Sequence, residues 1–191
     1  AFNIMISKGE LTETLYLPTE ELTIQKALKR LGADRFEDCA VDSIDSSLIP
    51  VNWLDTFCAD YGTLDIFAFN RFCHATEGFE STDFEKLLAV AEYADIHDFN
   101  GATRLAEYLD SFLYVPCVQD AESLGKQQIK ESCSYKYDEQ LEDFYNYEMF
   151  GNSLLEYQEG KFTELGYVGV DDNSLTLAEI LDTGEICMGG L

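Results

Sequence analysis

The sequence predicts an α+β fold in three small segments. Three observations predict it. Residues 1–48 alternate like strands around a single helical stripe, residues 49–124 carry helical periodicity, and residues 125–191 mix an acid-rich helix with a hairpin. Those ranges define an N-terminal β-β-α-β unit, a helical middle domain and an acidic C-terminal α+β domain.

In the first unit, FNIMIS and LTETLYL read as strands around Lys8-Gly9-Glu10, a hairpin signal. Pro18 stops the second strand. Thr19 reads as a helix N-cap, with Glu20 and Glu21 where the helix dipole favours anions. Ile24, Leu28 and Leu31 form the apolar stripe, Lys26, Lys29 and Arg30 sit toward its C-terminal end, and Gly32 ends it. FEDCAVDSI reads as a third strand.

From Pro50 the period becomes helical. Leu54, Phe57, Cys58 and Tyr61 share one face up to Gly62, and Phe67, Phe69 and Phe72 share a second that ends near Gly78. Thr82-Asp83-Phe84-Glu85 fits a capping box for a third helix through Leu87, Leu88 and Ala91. Leu105, Tyr108, Leu109 and Phe112 mark a fourth, broken by Pro116.

A helix from about Asp120 follows, weakened by Gly125. The next, DEQLEDFYNYEMFG (138–151), is expected to bury Leu141, Phe144 and Tyr145 and to show Asp138, Glu142 and Asp143 to solvent, with Gly151 as its end. LLEYQ-EGK-FTELGYVGV reads as a hairpin turning at Glu159-Gly160-Lys161, and Leu177–Leu181 as a short helix.

Charge is the dominant feature. The chain holds 37 acids against 12 bases, a net charge of -25 in 191 residues. With 46% hydrophobic residues it has the material for a core, so the acidity does not imply disorder. A magnitude of about 2–8 suffices for solubility, and the excess repels itself. The net charge is -4 over residues 1–50, -9 over 51–130 and -12 over 131–191. Between Lys136 and Lys161 there are seven acids and no cation. In a helix, Asp138/Glu142 and Glu139/Asp143 would stand at i,i+4, each pair costing roughly 0.2–0.5 kcal/mol.

A polyanion is repelled by nucleic acid and by anionic membranes, so neither is an expected partner. No stretch approaches the ~20 apolar residues of a membrane span. AFNIMISKGELTE lacks the charged and apolar regions of a signal peptide. A cytoplasmic protein with reduced thiols is therefore expected. Its six cysteines (Cys39, Cys58, Cys73, Cys117, Cys133, Cys187) show no C-x-x-C spacing.

Motifs of chemistry are missing. Asp171-Asp172-Asn173-Ser174-Leu175 is the nearest approach to a calcium loop, but Leu175 takes a ligand position and no glycine follows. Cys73 and His74 are adjacent, and adjacent side chains rarely reach one metal; His97 has no partner at helical spacing. Gly125-Lys126 is no phosphate loop and Gly-Tyr-Val-Gly (166–169) no dinucleotide fingerprint. No enzyme, cofactor or metal is expected.

Duplex DNA carries about one charge per ~1.7 Å of axis, so this net charge matches roughly 43 Å, or about twelve base pairs. Composition leaves three readings open: imitation of DNA, halophilic adaptation and a generic acidic interaction protein. The segments ISKGELTETLYLP, IQKALKRLGA, LYVPCVQDAESLGK and EMFGNSLLEYQEGKFTELGYVGV together resemble the ArdA antirestriction proteins of mobile genetic elements. Phe150-Gly151, Glu159-Gly160-Lys161-Phe162-Thr163 and Gly166-Tyr167-Val168 are the most specific part, and the resemblance reaches to about Val170. The tail from Asp171 departs from it.

The resemblance implies a non-enzymatic DNA mimic, an elongated chain of three small domains. It implies a homodimer joined mainly through the C-terminal domain, which blocks the DNA-binding groove of type I restriction-modification enzymes. It also implies a binding surface in place of a fixed ligand set. The carboxylates expected to stand for phosphates are Asp95, Asp98, Glu107, Asp110, Asp120 and Glu122 in the centre. In the third segment they are Asp138, Glu139, Glu142, Asp143, Glu148, Glu156 and Glu159. Tyr145 and Tyr147, beside them, are expected to be core or dimer contacts. Other nucleic-acid enzymes, such as CRISPR effectors or recombinases, and cations are the alternative partners.

Overall fold

The computed structural model describes residues 2–131, 136–170 and 175–181. It is an α+β protein with two three-stranded antiparallel sheets and helices packed between and around them.

The N-terminal unit is β-β-α-β. Strands β1 (Phe2–Lys8) and β2 (Leu11–Leu17) pair in register from Phe2–Leu17 to Lys8–Leu11. Gly9 turns between them at φ 63°, a conformation without strain only for glycine. Strand β3 (Ala40–Ser46) pairs with the other edge of β1, giving the order β2-β1-β3. Residues 36–38, expected to begin this strand, form a 3-10 turn instead. Helix α1 (Glu21–Arg30) buries Ile24, Ala27 and Leu28. Its N-cap is Glu20, not Thr19. Thr19 is held elsewhere: its N–H donates to Asn70 Oδ1 at 2.9 Å and its carbonyl accepts from Asn70 Nδ2 at 2.8 Å. Asn70 is buried, and these two bonds satisfy its amide.

Asn70 lies on α2 (Ile66–Ala75), which Asp65 caps through the N–H groups of Phe67 and Ala68. The helix expected before it is two 3-10 pieces, Val51–Thr56 and Tyr61–Thr63. Helix α3 (Ser81–Ala94) begins earlier than the Thr82 box requires. Glu80 is its N-cap, with the Glu80 N–H donating to Asp83 Oδ2 at 2.8 Å. Phe79 and Phe84 lie edge to face, 5.6 Å apart, across that first turn. This apolar staple, which the polar motif cannot show, fixes the entry point. Helix α4 (Phe99–Glu107) stops before Tyr108, and Phe112–Pro116 is a strand, β4, where a helix was expected.

β4 pairs with β6 (Gly166–Val170), more than fifty residues away, from Phe112–Val170 to Pro116–Gly166. β5 (Gly160–Phe162) completes the order β4-β6-β5. The turn between β5 and β6 is at Thr163-Glu164-Leu165, not Glu159–Lys161. The buried Thr163 hydroxyl donates to the Gly166 carbonyl at 2.7 Å and closes it.

LLEYQ belongs mostly to α6 (Tyr147–Tyr157), which runs straight through Gly151. It packs on α5 (Ala121–Glu131) at glycine contacts. A Cβ on Gly125 would strike the Tyr147 carbonyl, and one on Gly151 the Ala121 carbonyl. The two glycines, weak points for helix propensity, are what let these backbones touch. Helix α7 (Leu177–Leu181) lies against α4.

The core does not divide at residue 48. Phe2, Phe57, Phe69, Phe72, Phe84 and Phe99 belong to one buried cluster that also takes in Val168 and Ile180. Phe99 meets Phe69, Phe72 and Phe57 at centroid distances of 4.7, 5.3 and 5.8 Å. A second, smaller cluster joins Val115, Val118, Leu124 and Tyr167 under α5 and α6.

Candidate functional site

The acid-rich stretch 138–151 is not one helix. Residues Glu139–Phe144 form a 3-10 helix, the chain is extended at Tyr145, and Asn146 starts α6 by accepting the Met149 N–H at 3.0 Å. A 3-10 helix has three residues per turn, so Asp138/Glu142 and Glu139/Asp143 no longer stack. The i,i+4 pairs are separated, but i and i+3 side chains eclipse in this geometry, so Glu139 and Glu142 share a face and the like-charge contact is moved, not removed.

Asp138 and Asp143 are exposed and Tyr145 is half-buried, in line with the expected faces, but three positions differ. Leu141 and Phe144 are exposed, Phe144 by 83%, whereas Glu142 turns inward and is half-buried. There it meets two cations of α5. Lys130 Nζ lies 2.5 Å and Lys126 Nζ 3.5 Å from Glu142 Oε1. The cation missing from the sequence around Glu142 is therefore supplied across the fold. The lysine hydrogen bond holds the Glu142 carboxyl below the usual carboxylate range. Both lysines also lie over tyrosine rings, Lys126 over Tyr147 at 5.7 Å and Lys130 over Tyr137 at 5.4 Å. Tyr137 stacks on Tyr145 at 5.7 Å, and Tyr145 meets Tyr147 in a tilted contact at 5.8 Å. Tyr145 and Tyr147 thus pack within the chain, and the Tyr145 hydroxyl accepts the Asp138 N–H at 3.2 Å.

The other twelve candidate carboxylates are all exposed. Several are ordered by backbone bonds that leave their charge intact. Asp98 caps α4 through the N–H groups of Asn100 and Gly101, Asp138 accepts the Gln140 N–H at 2.9 Å, and Asp120 accepts from the N–H and hydroxyl of Ser123, each at 2.7 Å. The Ser123 bonds hold the Asp120 carboxyl below its ordinary range. Asp95, at the left-handed C-terminus of α3, lies 3.1 Å from His97 Nε2. Glu122 is in the first turn of α5, and Glu148 and Glu156 border a shallow groove on α6 with Met149 and Asn152. Glu107 ends α4 and Asp110 sits in the following 3-10 turn. Glu139, Asp143, Glu148, Glu156 and Glu159 make no ion pair among the described residues. In the N-terminal unit, Arg30 forks onto Glu13 at 2.7 and 2.9 Å.

Lys126 and Lys130 escaped the sequence reading. Their signal was the four-residue spacing that puts both on one face of α5, but nothing local showed that Glu142 would meet that face.

Among the described residues, no group of three or more histidine, cysteine or carboxylate side chains converges to hold a metal ion. Cys73 and His74 diverge: burial pushes the Cys73 thiol up to about 12, while His74 is exposed with Nε2 3.2 Å from the Thr19 carbonyl oxygen. Cys39, Cys58, Cys73 and Cys117 are free thiols. Cys133, Cys187 and the run Asp171–Ser174 lie outside the described residues. No helix among the described residues is long and apolar enough to cross a membrane.

No protein-family model matches the chain, and no curated protein matches it.

Proposed function

We propose that the chain is a DNA-mimicking antirestriction protein of the ArdA type. It occupies the DNA-binding groove of a type I restriction-modification enzyme, with exposed carboxylates in the places of phosphates. The observation that carries this reading is the state of the acid-rich segment. From Asp138 to Glu159 it holds seven carboxylates, of which, among the described residues, only Glu142 has a lysine partner. An unpaired, exposed carboxylate keeps its charge available to a basic groove. Binding there releases counterions, as phosphate contacts do, and the net charge of -25 steers the encounter.

The carboxylates bind and carry out no reaction, and no cofactor takes part. The protein acts as a homodimer in the cytoplasm, where the enzyme meets incoming DNA.

The test is competition. A purified type I enzyme holding a labelled DNA duplex is titrated with the chain at two salt concentrations. Displacement that weakens steeply with salt supports the reading. No displacement by the folded chain overturns the choice of target and directs the search to other DNA-handling enzymes.

A further inference from the structure

The chain has four arginines, and two of them are spent on carboxylates, Arg30 on Glu13 and Arg35 on Glu37. The other two, Arg71 on α2 and Arg104 on α4, form no ion pair among the described residues, although the protein holds 37 acids. Both line the same open cleft of about 700 Å³.

The cleft is organised around that pair. Arg71 Nη2 donates to Asn100 Oδ1 at 3.0 Å, which ties α2 to α4. The bond orients the amide, so Asn100 Nδ2 remains as an additional donor. Asp98 also borders the cleft, but its Oδ1 accepts the Asn100 and Gly101 N–H groups at 2.9 and 3.0 Å. It is anchored to the start of α4 and does not close on either arginine. Glu107 lines the cleft as an exposed residue without an ion pair among the described residues. Apolar surface comes from Ile96, whose side chain fills the space a Cβ on Gly101 would need, and from Leu181 of α7.

We propose that this cleft binds a small organic oxyanion, a carboxylate or phosphate monoester whose apolar body lies against Ile96 and Leu181. Guanidinium groups are always charged and bind such oxyanions through paired N–H donors. The volume lies in the range of small-ligand sites, about 300–1,000 Å³. Size follows from electrostatics. A nucleic acid or an acidic protein face would meet the whole negative field of the molecule. A small anion feels mainly the charges within about 8 Å, the screening length at physiological salt; there the two arginines stand against Asp98 and Glu107, so the anion is held by direct seating on the guanidinium N–H donors and not by a net positive field.

The probes are phenyl phosphate, benzoate and inorganic phosphate, titrated into the full chain at constant ionic strength. The readout is NMR of the arginine Nε–Hε signals and of the Gly101 and Thr103 amides. Saturable shifts with an affinity on the order of millimolar or tighter are expected for phenyl phosphate or benzoate. The tighter of the two identifies the preferred oxyanion, and inorganic phosphate should bind more weakly for lack of an apolar body. Arg71→Ala/Arg104→Ala should weaken binding about tenfold or more. Arg104→Gln, which leaves the Arg71–Asn100 bond in place, should weaken it in the same direction if the double variant does not fold. Absence of saturable shifts up to about 10 mM, roughly tenfold above the millimolar affinity expected, overturns the proposal. So does unchanged binding in a folded variant.

Discussion

Glu142 and Lys130, twelve residues apart, meet at 2.5 Å and fasten the acid-rich 3-10 helix to α5. The ion pair separates two roles among neighbouring carboxylates. Glu142 holds the segment in place, while Glu139 and Asp143 on either side carry free charge.

Glu142→Gln should therefore lower stability, although removing an acid from so acidic a chain would otherwise raise it. The pH dependence has a definite sign. The folded carboxyl lies below its ordinary value of 4.5, so its contribution is complete above that value and is lost as pH falls through the folded pKa. Thermal melts of wild type and variant should differ at pH 7 and converge in acid. A difference that persists below the carboxylate range would remove the ion pair as its cause.

Neutralising only the unpaired acids, Glu139→Gln, Asp143→Asn, Glu148→Gln and Glu156→Gln, should leave the fold intact or slightly more stable, since like charges are being removed. If these groups stand for phosphates, target binding should weaken and its salt slope should fall by about one for each carboxylate neutralised in the interface. A competition assay at several salt concentrations, with an unchanged slope, would take these four acids out of the interface. Neutralising Asp138 or Glu142 as well would mix this effect with removal of an N-cap and of the lysine ion pair.

Gly125→Ala and Gly151→Ala each place a methyl group against the facing helix backbone. The helices must separate, at a cost of about 1–3 kcal/mol or more, despite alanine's better helix propensity. Chemical denaturation measures it, and a stabilising effect would show that α5 and α6 do not pack this closely.

The Tyr114 hydroxyl donates to Glu85 at 2.8 Å, joining β4 to α3. Tyr114→Phe should cost about 1 kcal/mol at pH 7. Burial and the Glu85 carboxylate raise the Tyr114 pKa above its ordinary 10.0. The folded state thus keeps a proton that the unfolded chain releases, and stability contributed here falls as pH rises past 10. The gap between wild type and variant should narrow in that range, as alkaline melts would detect.

Phe99→Ala removes the ring that touches Phe57, Phe69 and Phe72 and should cost about 3–5 kcal/mol. The cluster runs from Phe2 through α4, so strands β1–β3 and helices α2–α4 should unfold together. Hydrogen exchange would show protection lost in β1 as well as α4; loss confined to α2–α4 would mean two independent units.

By itself, the sequence determined the α+β class, the β1–β2 hairpin, the positions of α1, α2 and α7, and the charge gradient toward the C-terminus. These follow from short-range pattern and from counting. Tertiary structure decided what depends on distant partners. β4 is a strand only because β6 pairs with it, and α3 starts where Phe79 reaches Phe84. The acid-rich segment is a 3-10 helix whose Glu142 is received by two lysines on α5, a contact that no local pattern shows. Net charge is additive along a chain, but which charges remain unpaired is set by contacts across the fold.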